Sequence, residues 1–445
     1  MRRNSFLATT APASPAAFAP TPRRLLNLWS KDVSKVKETG TSEDVAVLSV
    51  KPIPRDAKEL PILRYQYTAR NVKVSLGSWW HLQGYQVKSI QLVTGATPTL
   101  RVFTRSPQKP EQKMTIPLDM TCQSHNFHGL TLKSRKDHRF RVRIRFVTPA
   151  DAVIWQRVLL ETIAHAKWLQ GVEEVACLSQ DCANRVVLLR HLATRHESVA
   201  KVITNVRVDD GTCEEVTTLR KLVPQVGHTT PWRFLTEYRV YETKDDVRII
   251  MPRFPGKNLL HYLTSRPRPH VLSEKDARTI MANVCESLRE LHDQGIVHCD
   301  IKLENILIAD PKNVRIIDLG GACDTSSTND SSPRPRRMIG TPGYIAPERV
   351  LRVDDPPTPA VDVFSLGVVL YQMLIGQHPF HAVGHRRLTL DDSLSLDWSN
   401  MERRLQMRGV STEAQELLHS LVESNPNARI RLEQIQQHPW LAETQ

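Results

Sequence analysis

Three polar motifs in a fixed order constrain this chain more than any other feature. The first is HCDIKLEN, His298 to Asn305, which packs an acid, a cation and an amide into one short stretch. The second is IIDLG, whose Asp318 lies eighteen residues beyond Asp300. The third is GTPGYIAPE, Gly340 to Glu348. Each follows an apolar run, and three such clusters in this order are hard to reach by chance. At 445 residues the chain exceeds one ordinary core, so two or three domains are expected.

Residues 1–58 are rich in Ala, Pro, Ser and Thr with little periodicity and read as a disordered extension. The stretch carries Arg2, Arg3, Arg23 and Arg24 and no acid before Asp32, which is also the composition of a mitochondrial presequence. Its many prolines argue against an amphipathic targeting helix.

Residues 59–170 change character. Short β-prone runs, Val72 to Leu76, Tyr85 to Val93 and Thr99 to Phe103, alternate with turn residues Gly84, Gly95 and Pro98. A further strand is expected at Thr115 to Asp119. In RFRVRIRF the residues Arg139, Arg141, Arg143 and Arg145 share one face and Phe140, Val142, Ile144 and Phe146 the other, a half-buried strand with a basic outer face. A helix follows, capped by Thr148 or Asp151 with Pro149 in its first turn, and Ile154, Trp155, Val158, Leu159 and Ile163 recur at helical spacing.

Many short strands ahead of one Trp-bearing helix resemble a pleckstrin-homology (PH) domain, a small β-barrel or sandwich. The local resemblances are TIPLD and ADAVIWQRVL. Residues 101–146 hold 11 Lys or Arg against three acids, Glu111, Asp119 and Asp137. Two readings stand: a surface for anionic phospholipid, or a solvated basic face docked elsewhere on the chain. Lys73 and Lys88 are present without the full inositide-binding pattern of such domains.

The whole chain carries 60 Lys and Arg against 47 Asp and Glu, a net charge of +13, which favours an anionic partner. Seven scattered cysteines contain no CxxC pair, so a zinc site has little support and a reducing compartment is expected. No apolar run reaches the roughly 18 residues that a membrane span needs. The nearest, Val361 to Ile375, is broken by Asp362, Ser365 and Gln372 and reads as a buried helix.

Residues 171–442 contain the three motifs. Upstream of them lie HLATRHESVAKVI with Lys201, and EEVTTLRKL with a helical stripe of Val216, Leu219 and Leu222. Val247 to Met251 reads as a strand. Ser273, with Asp276 three residues on, opens a helix running from Ala277 to His292.

The three motifs resemble the catalytic loop, the metal-binding DFG motif and the APE motif of eukaryotic protein kinases, and the DxKxxN and GTPGY forms point to the serine/threonine type. The resemblance implies an α+β, bilobal fold, with a β-rich small lobe and a helical large lobe. It implies transfer of the γ-phosphate of ATP, with Mg²⁺, to protein serine or threonine hydroxyls. Lys201 then takes the ATP-contacting position and Glu215 pairs with it. Met251 becomes the gatekeeper, and Pro252 to Phe254 the segment against the adenine. Asp300 is the carboxylate that accepts the hydroxyl proton, Lys302 the cation at the γ-phosphate, and Asn305 and Asp318 the metal ligands. Glu348 pairs with Arg429, Asp362 holds the catalytic-loop backbone, and HPW at His438 to Trp440 ends the domain.

Four positions depart from the pattern. SQDCANRV, Ser179 to Val186, stands where a glycine-rich phosphate loop belongs; Ser179, Asp181 and Asn184 replace its glycines and only Val186 remains. Glycine lets backbone approach phosphate, so weakened or rearranged nucleotide binding is expected. Cys299 replaces the Arg that normally receives an activation-loop phosphate. The loop still holds Thr325, Ser326, Ser327, Thr328, Ser331 and Ser332, followed by Arg334, Arg336 and Arg337, and reads as a flexible polar loop, with a regulatory site as the second reading. Leu319 replaces the Phe of DFG. Pro252 occupies a hinge position and cannot donate a hydrogen bond.

The expectation is therefore a serine/threonine kinase with an N-terminal regulatory or membrane-directed module, cytoplasmic or peripheral to a membrane. The alternative is a pseudokinase scaffold, motivated by SQDCANRV. Glu304, just before Asn305, favours basophilic protein substrates, and no nucleic-acid partner is expected.

Overall fold

Period-two apolar residues between Gln66 and Arg145 build a seven-stranded antiparallel sheet. In the computed structural model, residues 62–76, 86–103, 112–125, 128–180, 184–204, 206, 213–222, 238–325, 340–380 and 388–442 are described. All lie within one unit, Val50–Gln445. The extension 1–58, Gly84, Asp181, and the loop residues 326–337 singled out in the sequence lie outside them.

The first strand, β1 (Ile62–Leu63), precedes β2 (Gln66–Leu76), β3 (Gln86–Val93), β4 (Thr99–Phe103), β5 (Gln112–Thr115), β6 (Met120–His125), β7 (Gly129–Ser134) and β8 (Arg141–Arg145). The sheet order is β5-β4-β3-β2-β8-β7-β6. Helix α1 (Pro149–Gln170) covers it, and Trp155 and Leu159 join Ile90, Leu92, Leu100 and Ile144 in one core. Each such fully buried aliphatic side chain contributes about 1.5–3 kcal/mol. Thr148 caps the helix, its hydroxyl accepting the Asp151 N–H at 3.1 Å, with Pro149 in the first turn.

Two strand expectations need correction. Thr115 to Asp119 is not a strand: β5 ends at Thr115, and the Met120 N–H closes a turn on the Pro117 carbonyl. Pro117 cannot donate to a ladder, which stops the strand there. Asp119 instead accepts from the Ser134 hydroxyl and the Lys136 N–H. The arginine-rich strand starts two residues later than its alternation suggests, because Phe140 N–H bonds to Asp137 O in a turn. Within β8 the alternation holds, with Val142 and Ile144 buried and Arg145 exposed.

Only Gly171 separates α1 from β9 (Val172–Gln180), the first strand of a second sheet with β10 (Asn184–His191), β11 (Glu197–Thr204), β12 (Arg239–Glu242) and β13 (Asp246–Pro252). Its order is β1-β12-β13-β11-β10-β9. The strand ahead of the N-terminal sheet thus pairs in parallel with the edge of the second one, Ile62 opposite Val240 and Leu63 opposite Tyr241. At the junction Leu63 packs with Val187, Ala200, Tyr241 and Ile250. The Tyr65 N–H donates to buried Glu242, and the His165 ring stacks on Tyr241 at 3.6 Å between centroids. Helix α2 (Glu214–Leu222) packs against the turn Leu319–Gly321, with Val216 and Leu219 in the main core.

The remainder is mainly helical. A small sheet of β14 (Lys257–Asn258), β16 (Ile306–Asp310) and β17 (Asn313–Ile316) and a pair of β15 (Ile296–Val297) with β18 (Cys323–Asp324) carry the motif loops. Around them stand α3 (Leu259–Thr264), α4 (Glu274–Asp293), α5 (Pro347–Leu351), α6 (Ala360–Ile375), α7 (Trp398–Met407), α8 (Thr412–Leu421), α9 (Leu432–Gln437) and α10 (Pro439–Ala442). Helix α6 is buried along almost its whole length, which explains its largely apolar sequence. Ser273 caps α4 as its sequence predicts, through the Asp276 N–H. The fold is α+β, a β-rich lobe followed by a helical one. No helix among the described residues is long and apolar enough to cross a membrane.

Candidate active site

The loop His298–Asn305 is held from beneath by one carboxylate. Asp362, at the buried start of α6, accepts the His298 N–H at 2.9 Å and the Cys299 N–H at 2.8 Å, and lies 2.8 Å from His292 Nε2. A carboxylate with no exposure is tolerated only when its lone pairs are filled in this way. The anchoring lets Cys299 sit in the left-handed region at φ 63°, and Asp318 does likewise at φ 70°. Such backbone is unfavourable for non-glycine residues by about 1–2 kcal/mol and persists where neighbours over-determine it.

Above this floor the polar side chains converge. Lys302 Nζ lies 2.7 Å from Asp300 Oδ2 and donates to Thr341 Oγ1 at 2.7 Å, while Thr341 donates to Asp300 Oδ1 at 2.6 Å. Asn305 Nδ2 donates to the Asp300 carbonyl and carboxylate. His298, fully buried, supports the loop through Ile317 O and the Asp300 N–H. Thr341 belongs to the GTPGY motif, but its bond to Asp300 spans 41 residues and no local spacing announces it.

A second cluster faces the first. Lys201 Nζ lies 2.6 Å from both Glu215 Oε2 and Asp318 Oδ1. Burial works against the Lys201 ammonium, but the two carboxylates outweigh it and hold the group well above its usual range. Burial also pushes the Glu215 carboxyl up, against the pull of Lys201. The ammonium shared by two carboxylates at 2.6 Å is the charge that the geometry fixes. For Asp318, burial would raise the carboxyl, yet Lys201 and the Gly320 N–H keep it below the usual range.

Asp318 Oδ2 and Asn305 Oδ1 make no hydrogen bond among the described residues, since Asp318 is engaged through Oδ1 and Asn305 through Nδ2. Two hard oxygens left over on neighbouring motifs fit a hydrated Mg²⁺ that also needs phosphate ligands.

The predicted phosphate hairpin is a hairpin. Ser179, next to last in β9, lies opposite Val186, and Asn184 begins β10 opposite Ile203, with Val186 opposite Lys201. Met251, on β13 opposite Val199, packs partly against the main core. Pro252 is the last residue of β13. The Phe254 ring turns toward Arg315, 5.9 Å away, and its carbonyl accepts the Gly256 N–H.

The activation segment is tied down without an arginine at Cys299. Val297 pairs with Cys323 and Ile296 with Asp324; Thr325 bonds to Gly295 O through both its N–H and its hydroxyl. Lys221, near the end of α2, forms an ion pair with Asp324, which joins the helix carrying Glu215 to the segment after Asp318. Burial and the Asp362 charge push the Cys299 thiol up, so it stays protonated. Arg429, itself buried, lies 2.6 Å from Glu348.

Comparison with known proteins agrees with this geometry. Residues 183–441 match the model of the protein kinase domain family. The chain is 32% identical over 261 residues to the phosphorylase b kinase gamma catalytic chain, liver/testis isoform, of Homo sapiens, covering 56% of this chain and 61% of that one. It is 30% identical over 293 residues to sperm motility kinase 3A of Mus musculus, covering 66% and 51%, and 32% identical over 210 residues to serine/threonine-protein kinase PLK4 of Drosophila persimilis, covering 46% and 25%. The chain therefore spans less than two thirds of the length of each of these relatives. With more than half of the chain matched, and the motif residues drawn into one cleft, the chain belongs to the protein kinase family.

Proposed function

We propose that this chain transfers the γ-phosphate of ATP to serine or threonine hydroxyls of proteins. The observation that carries the reading is the meeting of two clusters: Asp300–Lys302–Asn305–Thr341 on one side and Lys201–Glu215–Asp318 on the other. Asp300 accepts the proton of the attacking hydroxyl. Lys302, between Asp300 and Thr341, places a positive charge where negative charge builds, and Lys201 does the same for the α- and β-phosphates. Asp318 and Asn305 would hold Mg²⁺, which neutralises phosphate charge. Little covalent chemistry is asked of the protein, so positioning is its main contribution.

Glu304 supports a preference for basic residues upstream of the target hydroxyl. Its Oε2 is buried without a hydrogen-bond partner among the described residues, and a peptide guanidinium would satisfy it. We further propose that residues 59–170 are a PH-like module, on the strength of seven antiparallel strands closed by α1, and that its arginine face meets anionic phospholipid at the membrane surface of the cytoplasm. Sedimentation of the full chain with anionic and neutral vesicles checks this, and equal recovery from both would end the lipid reading.

The test of the main reading is phosphate transfer from labelled ATP with Mg²⁺ to basic and acidic peptides, beside Asp300→Asn and Lys201→Met. Wild-type transfer no higher than that of Asp300→Asn would defeat it. The loss of glycines at Ser179 and Asn184 favours one second reading, a pseudokinase scaffold. Thermal stabilisation by ATP without transfer would select that reading.

A further inference from the structure

Away from the cleft, the described residues form a second concavity. It is an open groove of about 800 Å³ with a floor of Pro255 and Ile308 and walls of Arg195, His196, Arg253 and Lys257. None of Lys201, Asp300, Asn305 or Asp318 lines it. The fold shapes it in two places. Gly256 lies so close to β16 that a Cβ there would come within 2.4 Å of the Ile308 carbonyl oxygen, and this backbone approach makes the floor. Arg195 sits in the left-handed region at φ 56°, in the β10–β11 turn closed by the His191 N–H on His196 O.

The charges in this groove are not balanced. Its one carboxylate is Glu197, already engaged by Arg190 at 2.9 Å and by Arg253. Those guanidiniums hold its carboxyl below the usual range. Among the described residues Lys257 touches only the Ser265 hydroxyl, at 2.9 Å, and the Tyr262 ring. Arg195 has no side-chain ion pair or hydrogen bond among the described residues. Three permanent cations therefore border an apolar floor, with one carboxylate that is spoken for.

We propose that this groove docks an acidic linear segment of a partner protein. Carboxylates of the segment pair with Arg195 and Lys257, Arg253 being held by Glu197, and one apolar side chain lies on Pro255 and Ile308. The groove is open along its length, which suits an extended peptide better than an enclosed small molecule. Exposed ion pairs are individually weak and are screened by salt, so the docking is salt-sensitive and helps deliver a partner rather than holding it permanently. The inference does not rest on the phosphotransfer reading, because binding is read without nucleotide.

The test is fluorescence anisotropy on the full chain, with a labelled short peptide of Glu and Asp flanking one Leu. The acidic probe is expected to bind and a matched Lys probe is not. The double variant Arg195→Glu/Lys257→Glu should weaken binding by about tenfold or more. The control Arg139→Glu/Arg145→Glu, in the last strand of the N-terminal sheet and the turn before it, should leave it unchanged. The milder Arg195→Ala/Lys257→Ala, with its melting temperature recorded, covers the case in which charge reversal prevents folding. No binding of the acidic probe, equal binding by the groove variants, or equal loss in the sheet control would each overturn the proposal. So would a labelled single-stranded oligonucleotide that bound more tightly through the same residues.

Discussion

The two rims of the cleft are built to different standards. The lower rim, His298 to Asn305 with Asp318, keeps Asp300, Lys302, Asn305 and Asp318, although Cys299 stands in place of the motif's arginine, and its backbone is anchored on Asp362. The upper rim, the β9–β10 hairpin, keeps its strand pairing but replaces the glycines that let backbone approach phosphate. Strand pairing survives, with register irregularities at Val186/Val187 and Leu188/Leu189, because the ladder is made by backbone groups that SQDCANRV still supplies. Phosphate contact depends on bare backbone, which side chains at Ser179 and Asn184 cover. The lesson is that hairpin geometry and hairpin function are separable, and that transfer chemistry and nucleotide grip should respond to different substitutions.

The largest effect is expected on the lower rim. Asp300→Asn should reduce kcat by about 10²–10⁴-fold, the usual worth of a positioned base, with nucleotide affinity little changed in a titration. A parallel loss of affinity would blur the contrast between the rims. Next comes the link between them. Lys201→Met leaves buried Glu215 without its cation, and breaking a buried pair costs about 3–5 kcal/mol, to be seen as a fall in Tm. Lys201→Met with an unchanged Tm would show that the pair is not structural.

A third prediction concerns the backing of the upper rim. Burial, with Arg248 and Arg239 nearby, holds the His165 imidazole down to about 3, so it is neutral where it stacks on Tyr241. A depressed folded value means that stability is full above the unfolded value near 6.5 and falls as pH drops below it. Going from pH 6.5 to 5 should remove about 2 kcal/mol, and His165→Gln should flatten that part of the stability profile. The smallest effect is expected in the hairpin itself. Ser179→Gly/Asp181→Gly/Asn184→Gly should tighten ATP by about tenfold, some 1.4 kcal/mol, measured by nucleotide titration. Unchanged or weaker affinity would mean that this hairpin grips phosphate in some other way.

What the sequence made legible was local. HCDIKLEN, the cap at Ser273 and the alternation in β8 each announce themselves within a few residues, because loop chemistry, capping and pleat are short-range. Asp362 and the Glu348–Arg429 pair were legible only through resemblance. The misread strand at Thr115 to Asp119 came from weighing β-propensity above Pro117, whose missing N–H decides the matter. Thr341 went unassigned because its partner Asp300 lies 41 residues away. The pairing of β1 with β12 was invisible for the same reason: two residues of strand carry no periodicity, and their partners lie far along the chain.

That short strand bears on how the molecule can be cut. A fragment starting where the family match begins, at residue 183, would lose β1 and β9 together. It would bare the outer edge of β12 and uncover the apolar patch of Val187, Ala200, Tyr241 and Ile250. An open strand edge beside an apolar face is a template for pairing with another chain. Self-association is thus the expected behaviour of the excised catalytic region, and its aggregation would record a missing strand rather than an unstable kinase.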